Sequence, residues 1–253
     1  MEKVSIIIPA HNEEKRIGKT LKEYISYFKK KSLDFKIIVV LNACSDNTIG
    51  IVKKHKVKEL EILNFKQGGK GFAIIEGFKK SLKGDSNLIG FVDADMATPP
   101  EAFYDLIRNI GDNDGVIANR WDKNSIVKVP QTIFRRIIGR GFNLIVRMLF
   151  ILPHQDTQCG AKLFKRELLE KIIPKLGSSE WSFDVDLLFY ARREKAKVES
   201  IPTIWNDKKD SKINIKKNIL TMFLSVVRLR LVHSHFNFIV RIYRKLPNWM
   251  RVH

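Results

Sequence analysis

The chain has 253 residues, 44% hydrophobic and 10% aromatic, enough for one large domain or one domain with a small appendage. That composition excludes wholesale disorder. The net charge is +19, and the segments 120–150 and 208–253 supply 16 of those 19 charges, so anionic partners are expected: phosphates, nucleic acid or an acidic membrane surface.

Two cysteines, Cys44 and Cys159, fit neither a disulfide framework nor a zinc site, and a reducing compartment is expected. The apolar run that ends at Pro9 is too short for a signal peptide. No apolar stretch approaches the roughly 18 residues of a membrane-spanning helix. Leu144–Leu152 is cut by Arg147, and Ile219–Val232 is cut by Arg228 and Arg230. The chain is therefore expected not to cross a bilayer.

In chain order, the first half alternates strand and helix. Strands are predicted at Val4–Pro9, Phe35–Leu41, Leu60–Asn64, Leu88–Val92 and Gly115–Ala118. Helices are predicted at Glu13–Lys30, from about Asp46, and over Lys70–Leu82 and Pro99–Ile110. Apolar strands separated by amphipathic helices predict an α/β fold, a mainly parallel sheet covered on both faces. Ligands of such sheets sit beyond the carboxyl ends of the strands.

The second half reads differently. Val129–Leu152 is predicted as a basic amphipathic helix or pair of helices, and Pro153–Gly160 as a polar loop. Lys165–Ile173 and Phe183–Arg193 are predicted helices, and Val198–Trp205 a strand. Asn214–Lys245 is predicted as a long basic helical region.

Several motifs stand at the strand ends. Asp93-Ala94-Asp95 follows an apolar strand directly, and residues i and i+2 of an extended chain point the same way. Both carboxylates can face one Mg²⁺ or Mn²⁺, a cation commonly held by one or two carboxylates plus substrate phosphates. The competing reading is a turn or N-cap carboxylate pair. At Pro9-Ala10-His11-Asn12-Glu13-Glu14, Asn12 or Glu13 can bond a base or ribose, but local sequence favours an Asn N-cap with first-turn acids. Gly68-Gly69-Lys70-Gly71 opens a helix and suits a phosphate as well as it suits a plain glycine turn. Cys159 has only His154 as a nearby histidine and Cys44 has none, so packing is expected rather than nucleophilic chemistry. Asp184 and Asp186 are first-turn acids of a helix or site residues, and the sequence does not choose.

Taken together, the ordered set resembles the family 2 glycosyltransferases of the GT-A fold over residues 3–213. It does so through Pro9–Glu14, Val39–Thr48, Gly69-Lys70-Gly71, Asp93-Ala94-Asp95 and Arg120. Asp156-Thr157-Gln158-Cys159-Gly160-Ala161-Lys162-Leu163-Phe164, Trp181–Leu188 and Trp205 with Ser211-Lys212 are similar to the dolichyl- or polyprenyl-phosphate sugar synthases, closest to the β-glucosyltransferases.

The resemblance implies a nucleotide-sugar donor, UDP-glucose with GDP-mannose as rival, a dolichyl or polyprenyl phosphate acceptor, and Mg²⁺ or Mn²⁺. It implies a nucleotide-sugar site at Pro9, Ala10, His11, Asn12, Glu13, Asn42, Lys70, Asp93, Ala94 and Asp95. Asp95 and Asp93 would hold the metal. Asp93, Asp95, Arg120 and Asp156 would be catalytic. Arg120, Arg135, Arg136, Arg140 and Lys212 would meet the acceptor phosphate. The family usually carries an acidic pair where Asn42-Ala43 stands; Asn42 can still exchange hydrogen bonds with a base or ribose, without charge.

A catalytic domain over 1–212 is expected, followed by a basic amphipathic helical region over 213–253 at a membrane interface. The location implied is the cytoplasmic face of a membrane, attached peripherally or through a membrane-protein partner. Against nucleic acid, the sequence shows no helix-turn-helix signature, RNP-like motif or zinc module.

Overall fold

A computed structural model describes residues 2–129, 133–177, 182–206 and 215–234. The elements in chain order begin with β1 (Lys3–Ala10), α1 (Ile17–Lys30), β2 (Asp34–Asn42), α2 (Thr48–Lys53) and β3 (Leu60–Phe65). Next come α3 (Lys70–Leu82), β4 (Leu88–Val92), α4 (Pro100–Arg108), β5 (Gly115–Asn119) and β6 (Ile126–Val129). They continue with α5 (Ile133–Phe150), β7 (Ala161–Lys165), α6 (Arg166–Ile172) and a 3₁₀ turn at Ile173–Lys175. The last are α7 (Phe183–Arg193), β8 (Val198–Pro202), β9 (Ile204–Asn206) and α8 (Ile215–Val232).

The main sheet has seven strands in the order β3-β2-β1-β4-β7-β5-β8, and β6 pairs with β9 in a small second sheet. All main-sheet pairings are parallel except those of β7, which runs against both β4 and β5. The α/β architecture expected from the alternation is thus present. β7 itself was not expected, because Ala161–Lys165 reads as the approach to a helix rather than as a strand.

Side chains alternate along the strands into two cores. Ile6 and Ile8, with Ile37, Val39 and Leu41, face α1 and α4, where Leu21, Tyr24, Phe28, Phe103 and Leu106 bury against them. Ile7, Ile38 and Val40 face the opposite core with Ile74, Phe78, Phe164, Leu169 and Val185. Burial on both faces is why these strands are apolar throughout. Each such side chain contributes about 1.5–3 kcal/mol relative to exposure. Helix α3 lies close on the sheet because Gly77 meets Ile7, whose Cγ2 would be 2.5 Å from an added Cβ.

Two segments depart from expectation in kind, and a third is resolved between two readings. Helix α1 starts at Ile17, not Glu13, with Arg16 at its N-cap, so Asn12 is not the N-cap and Glu13 lies before the first turn. The predicted strand over Val198–Trp205 is two strands in two sheets, divided at Thr203. The basic region after Val129 is a single helix from Ile133. Helix α8 buries Val226 and Leu229 in the same core as Val146 and Phe150 of α5. Among the described residues, no helix is long and apolar enough to cross a membrane.

Candidate active site

The carboxyl ends of β1, β2 and β4 converge, and each is followed by a non-glycine residue in the left-handed region: Asn12 (φ 54°), Ala43 (φ 48°) and Met96 (φ 62°). Such conformers cost about 1–3 kcal/mol each and cluster at functional sites. Here they turn the chain sharply away from the sheet and leave a cleft of about 240 Å³. Pro9, His11, Glu13, Asn42, Lys70, Asp93, Ala94 and Asp95 line it, and all eight are among the residues expected at the nucleotide-sugar site.

The cleft walls are tied together. The buried Asn42 donates from Nδ2 to the Ala10 carbonyl (3.0 Å) and accepts at Oδ1 from the Gly69 N–H (3.2 Å). His11 Nδ1 lies 2.8 Å from the Asn42 carbonyl oxygen. Asn12 Oδ1 accepts the backbone N–H groups of Ser45 (2.8 Å) and Asp46 (3.3 Å), stapling the ends of β1 and β2. Glu13 holds Arg16 through two bonds of 2.6 Å, and its N–H donates to Thr48 Oγ1 at 2.8 Å.

Asp93 and Asp95 follow β4. Asp93 Oδ1 meets Lys70 Nζ at 2.6 Å, at the first residue of α3. Burial would lower the Lys70 ammonium, but Asp93, Asp184 and Asp95 outweigh it and raise it further. Asp95 accepts the Ala97 N–H at 2.9 Å, and burial, with Asp93 beside it, raises its carboxyl above the ordinary range. The carboxylates of Asp93 and Asp95 fit the donor set of one cation that draws its other ligands from a diphosphate and water. Among the described residues there is no cluster of three or more His, Cys, Asp or Glu that could hold a metal alone.

Helix α1 supports this loop from below, since Thr20 Oγ1 donates to the Ala94 carbonyl (2.7 Å) and Tyr24 OH to that of Thr98 (2.9 Å). Gly160 closes on it from the other side. A Cβ there would stand 1.9 Å from Asp93 Oδ2.

Arg120 follows β5, and Asp156 accepts from its Nε (2.7 Å), its Nη2 (2.8 Å) and its backbone N–H (3.0 Å). The guanidinium also lies 4.9 Å from the centre of the Trp205 ring. Burial alone would raise the Asp156 carboxyl, but Arg120 more than offsets this and holds it below the ordinary range. With three donors on a fully buried carboxylate, Asp156 fixes Arg120 and is not exposed to act as a base. Arg136 and Arg140 are exposed on α5; the Arg135 side chain and Lys212 lie outside the described residues, as do Trp181 and Ser211.

Beneath the cleft is an ion pair that sequence reasoning did not single out. Lys162, fully buried on β7, donates to Asp184 Oδ1 (2.5 Å) and to the Cys159 carbonyl (2.6 Å). The signal was a charged residue inside an apolar run. Asp184 is thereby a site-supporting residue, while Asp186 meets His233 Nε2 (2.9 Å) and the Gly177 N–H (2.9 Å). Cys159 is buried, and burial followed by Asp156 pushes its thiol up to about 12, in keeping with a packing role.

A cleft at the carboxyl edge of this sheet, lined by a lysine and two carboxylates, suits a family that handles activated sugars. The chain belongs to glycosyltransferase family 2: residues 5–173 match the family profile described as Glycosyl transferase family 2. Within that family it is similar to dolichyl-phosphate beta-glucosyltransferases. One from Trichomonas vaginalis is 33% identical, the match covering 89% of this chain and 72% of that one. That of Saccharomyces cerevisiae is 30% identical over 91% of this chain and 75% of its own. The human enzyme is 30% identical over 84% and 70% respectively. In fold, the chain is similar to glucosyl-3-phosphoglycerate synthase from Mycobacterium tuberculosis in complex with UDP, with a TM-score of 0.66 at 16% identity, covering 91% of this chain and 79% of that one.

Proposed function

We propose that this chain transfers glucose from UDP-glucose to dolichyl or a related polyprenyl phosphate, with inversion at the anomeric carbon. The observation that carries this is the cleft at the ends of β1, β2 and β4, with Lys70, Asp93 and Asp95 at its floor. The names of the relatives supply the sugar and the acceptor.

Pro9, Ala10, His11, Asn12, Glu13 and Asn42 form the nucleoside side of the donor site. Lys70 faces the diphosphate. Asp93 and Asp95 would hold Mg²⁺ or Mn²⁺, which would supply neutralisation of the diphosphate leaving group. The fold neighbour has been crystallised with Mn²⁺ and UDP, and also with Mg²⁺ and UDP.

An acceptor phosphate monoester has a second pKa of about 6 and is already an anionic nucleophile at neutral pH. Its oxygen attacks C1 of glucose, and the bond from C1 to the diphosphate oxygen breaks with its electron pair leaving on UDP. No general base is required, which agrees with the closed surroundings of Asp156. What the step requires is cationic positioning of one anion beside another. Arg120, held rigid by Asp156, is the fixed cation for this, and Arg135, Arg136, Arg140 and Lys212 add to it.

The polyprenyl tail stays in lipid, because each exposed CH₂ costs about 0.8 kcal/mol. Ile137, Leu144 and Met148 of helix α5, with Ile151 just past its end, are exposed beside Arg136 and Arg140, a surface suited to the cytoplasmic face of an anionic membrane. Residues 1–212 form the catalytic domain in this reading, and 213–253 an extension at the same interface.

The test is transfer of radiolabelled glucose from UDP-glucose, and separately of mannose from GDP-mannose, to dolichyl phosphate in detergent with Mg²⁺ or Mn²⁺. Label should enter the lipid fraction from UDP-glucose and be lost in Asp95→Ala. Label from GDP-mannose alone would overturn the donor, and no lipid label with UDP still bound would overturn the acceptor.

A further inference from the structure

Asn143 faces inward from α5, 2% exposed, on a helix whose next residue, Leu144, is 52% exposed. Its carboxamide reaches across to the loop that precedes β7. Nδ2 donates to the Gln155 carbonyl. Oδ1 accepts the Thr157 N–H (3.1 Å) and the Thr157 hydroxyl (2.7 Å). The residue between these two partners is Asp156, which holds Arg120 by three bonds. Asn143 does not line the donor cleft.

One side chain therefore grips both flanks of the residue that fixes the guanidinium. We propose that Asn143 is a positioning residue that sets the Arg120 guanidinium through Asp156, so that the seat of α5 on the domain determines where that cation stands. Its consequence for catalysis rests on the reading of Arg120 as the acceptor-phosphate cation; the placement itself does not. An Ala at 143 leaves two buried Thr157 donors and the Gln155 carbonyl without their partner, and the loop must shift to find others. Because α5 also carries the exposed apolar and basic face, the same contact would report lipid seating to the site.

The experiment uses the full chain. Asn143→Ala is expected to lower kcat for dolichyl phosphate by roughly tenfold or more while UDP binding with Mn²⁺ stays within about twofold. Thr157→Val, which removes only the hydroxyl, should give a smaller loss of the same kind. In an Arg120→Lys background, Asn143→Ala should add less than about twofold, since residues acting through one group are not additive. A second arm needs no reaction: with Trp121, Trp181 and Trp249 replaced by Phe, Trp205 emission reports the guanidinium stacked on it, and Asn143→Ala should change it as Arg120→Lys does. Multiplicative losses in the double variant, or unchanged Trp205 emission, would overturn the proposal. A parent protein that transfers no glucose to dolichyl phosphate would sink the acceptor assignment while the emission arm still decides the placement.

Discussion

Gly160→Ala is the sharpest probe of the Asp93 carboxylate. The added Cβ would meet Asp93 at Oδ2 (1.9 Å), Cγ (2.5 Å) and Oδ1 (3.0 Å). Ordinary contact begins near 3.4 Å, so the carboxylate or the loop must move by about 1.5 Å. Overpacking of this kind costs about 1–3 kcal/mol. Asp93 cannot retreat without stretching its 2.6 Å pair with Lys70, so the displacement passes into the donor site. A misplacement of about 1 Å at a reacting centre costs on the order of 10²-fold in rate. The assays are glucosyl transfer, titration of UDP in the presence of Mn²⁺, and thermal melting. Gly139→Ala on α5 is the control, because nothing lies within 4 Å of its added Cβ, and it should melt at the same temperature or higher. A Gly160→Ala protein with parental turnover and parental UDP affinity would refute the argument that Gly160 sets Asp93.

Three further outcomes are expected. Asp184→Ala strands the fully buried Lys162 ammonium and should destabilise the fold by about 3–5 kcal/mol in chemical denaturation. For Asp95, the raised carboxyl means that its protonated form suits the fold better: that contribution is present below the unfolded value and is lost as pH rises through the folded one. Asp95→Asn should therefore melt higher than the parent at pH 7, with the gain shrinking as pH falls, and metal-dependent UDP binding should be lost; a lower melting temperature at pH 7 would contradict this. His233→Ala removes one of two partners of the buried Asp186 and two ring contacts, at 4.6 Å with Phe189 and 5.1 Å with Tyr190. It should cost about 1–3 kcal/mol and speed hydrogen exchange across α8 relative to β1.

The inner strands β1, β2, β4 and β5 were legible because they are buried on both faces and carry their own apolar signature. Lys70–Leu82, Leu88–Val92 and Phe183–Arg193 have the predicted bounds. The strand-end clusters were legible for a topological reason: parallel β strands deliver their ends to one edge, whatever residues those ends carry. What was not legible depends on contacts between distant segments. Asn12 reads locally as an N-cap, yet its side chain is claimed by Ser45 and Asp46 after β2. Asp156 reads as an acid of a polar loop and a catalytic candidate, but in the fold it is buried and bound to Arg120, 36 residues earlier. Strand β7 was hidden because five residues with lysines at the second and last positions carry no period of their own, and Lys162 becomes tolerable only once Asp184 is opposite.

The reversed direction of β7 has a consequence for how the molecule can vary. Strand β5 ends at the cleft edge, and β7 begins there, with Ala161 paired to Val92 and Lys162 to Ile117. Residues 120–160 therefore leave the sheet and return to it at the same rim, like a handle fixed at both ends. The handle carries Arg120 at one root and Asp156 and Gly160 at the other, with all of α5 between. Its exposed side chains, such as Leu144 and Met148, could be recharged without shifting the main sheet, provided that both roots, Asn143 and the buried Val146 and Phe150 are kept. A single strand laid backwards thus lets one scaffold vary this surface while the cleft at the ends of β1, β2 and β4 stays still.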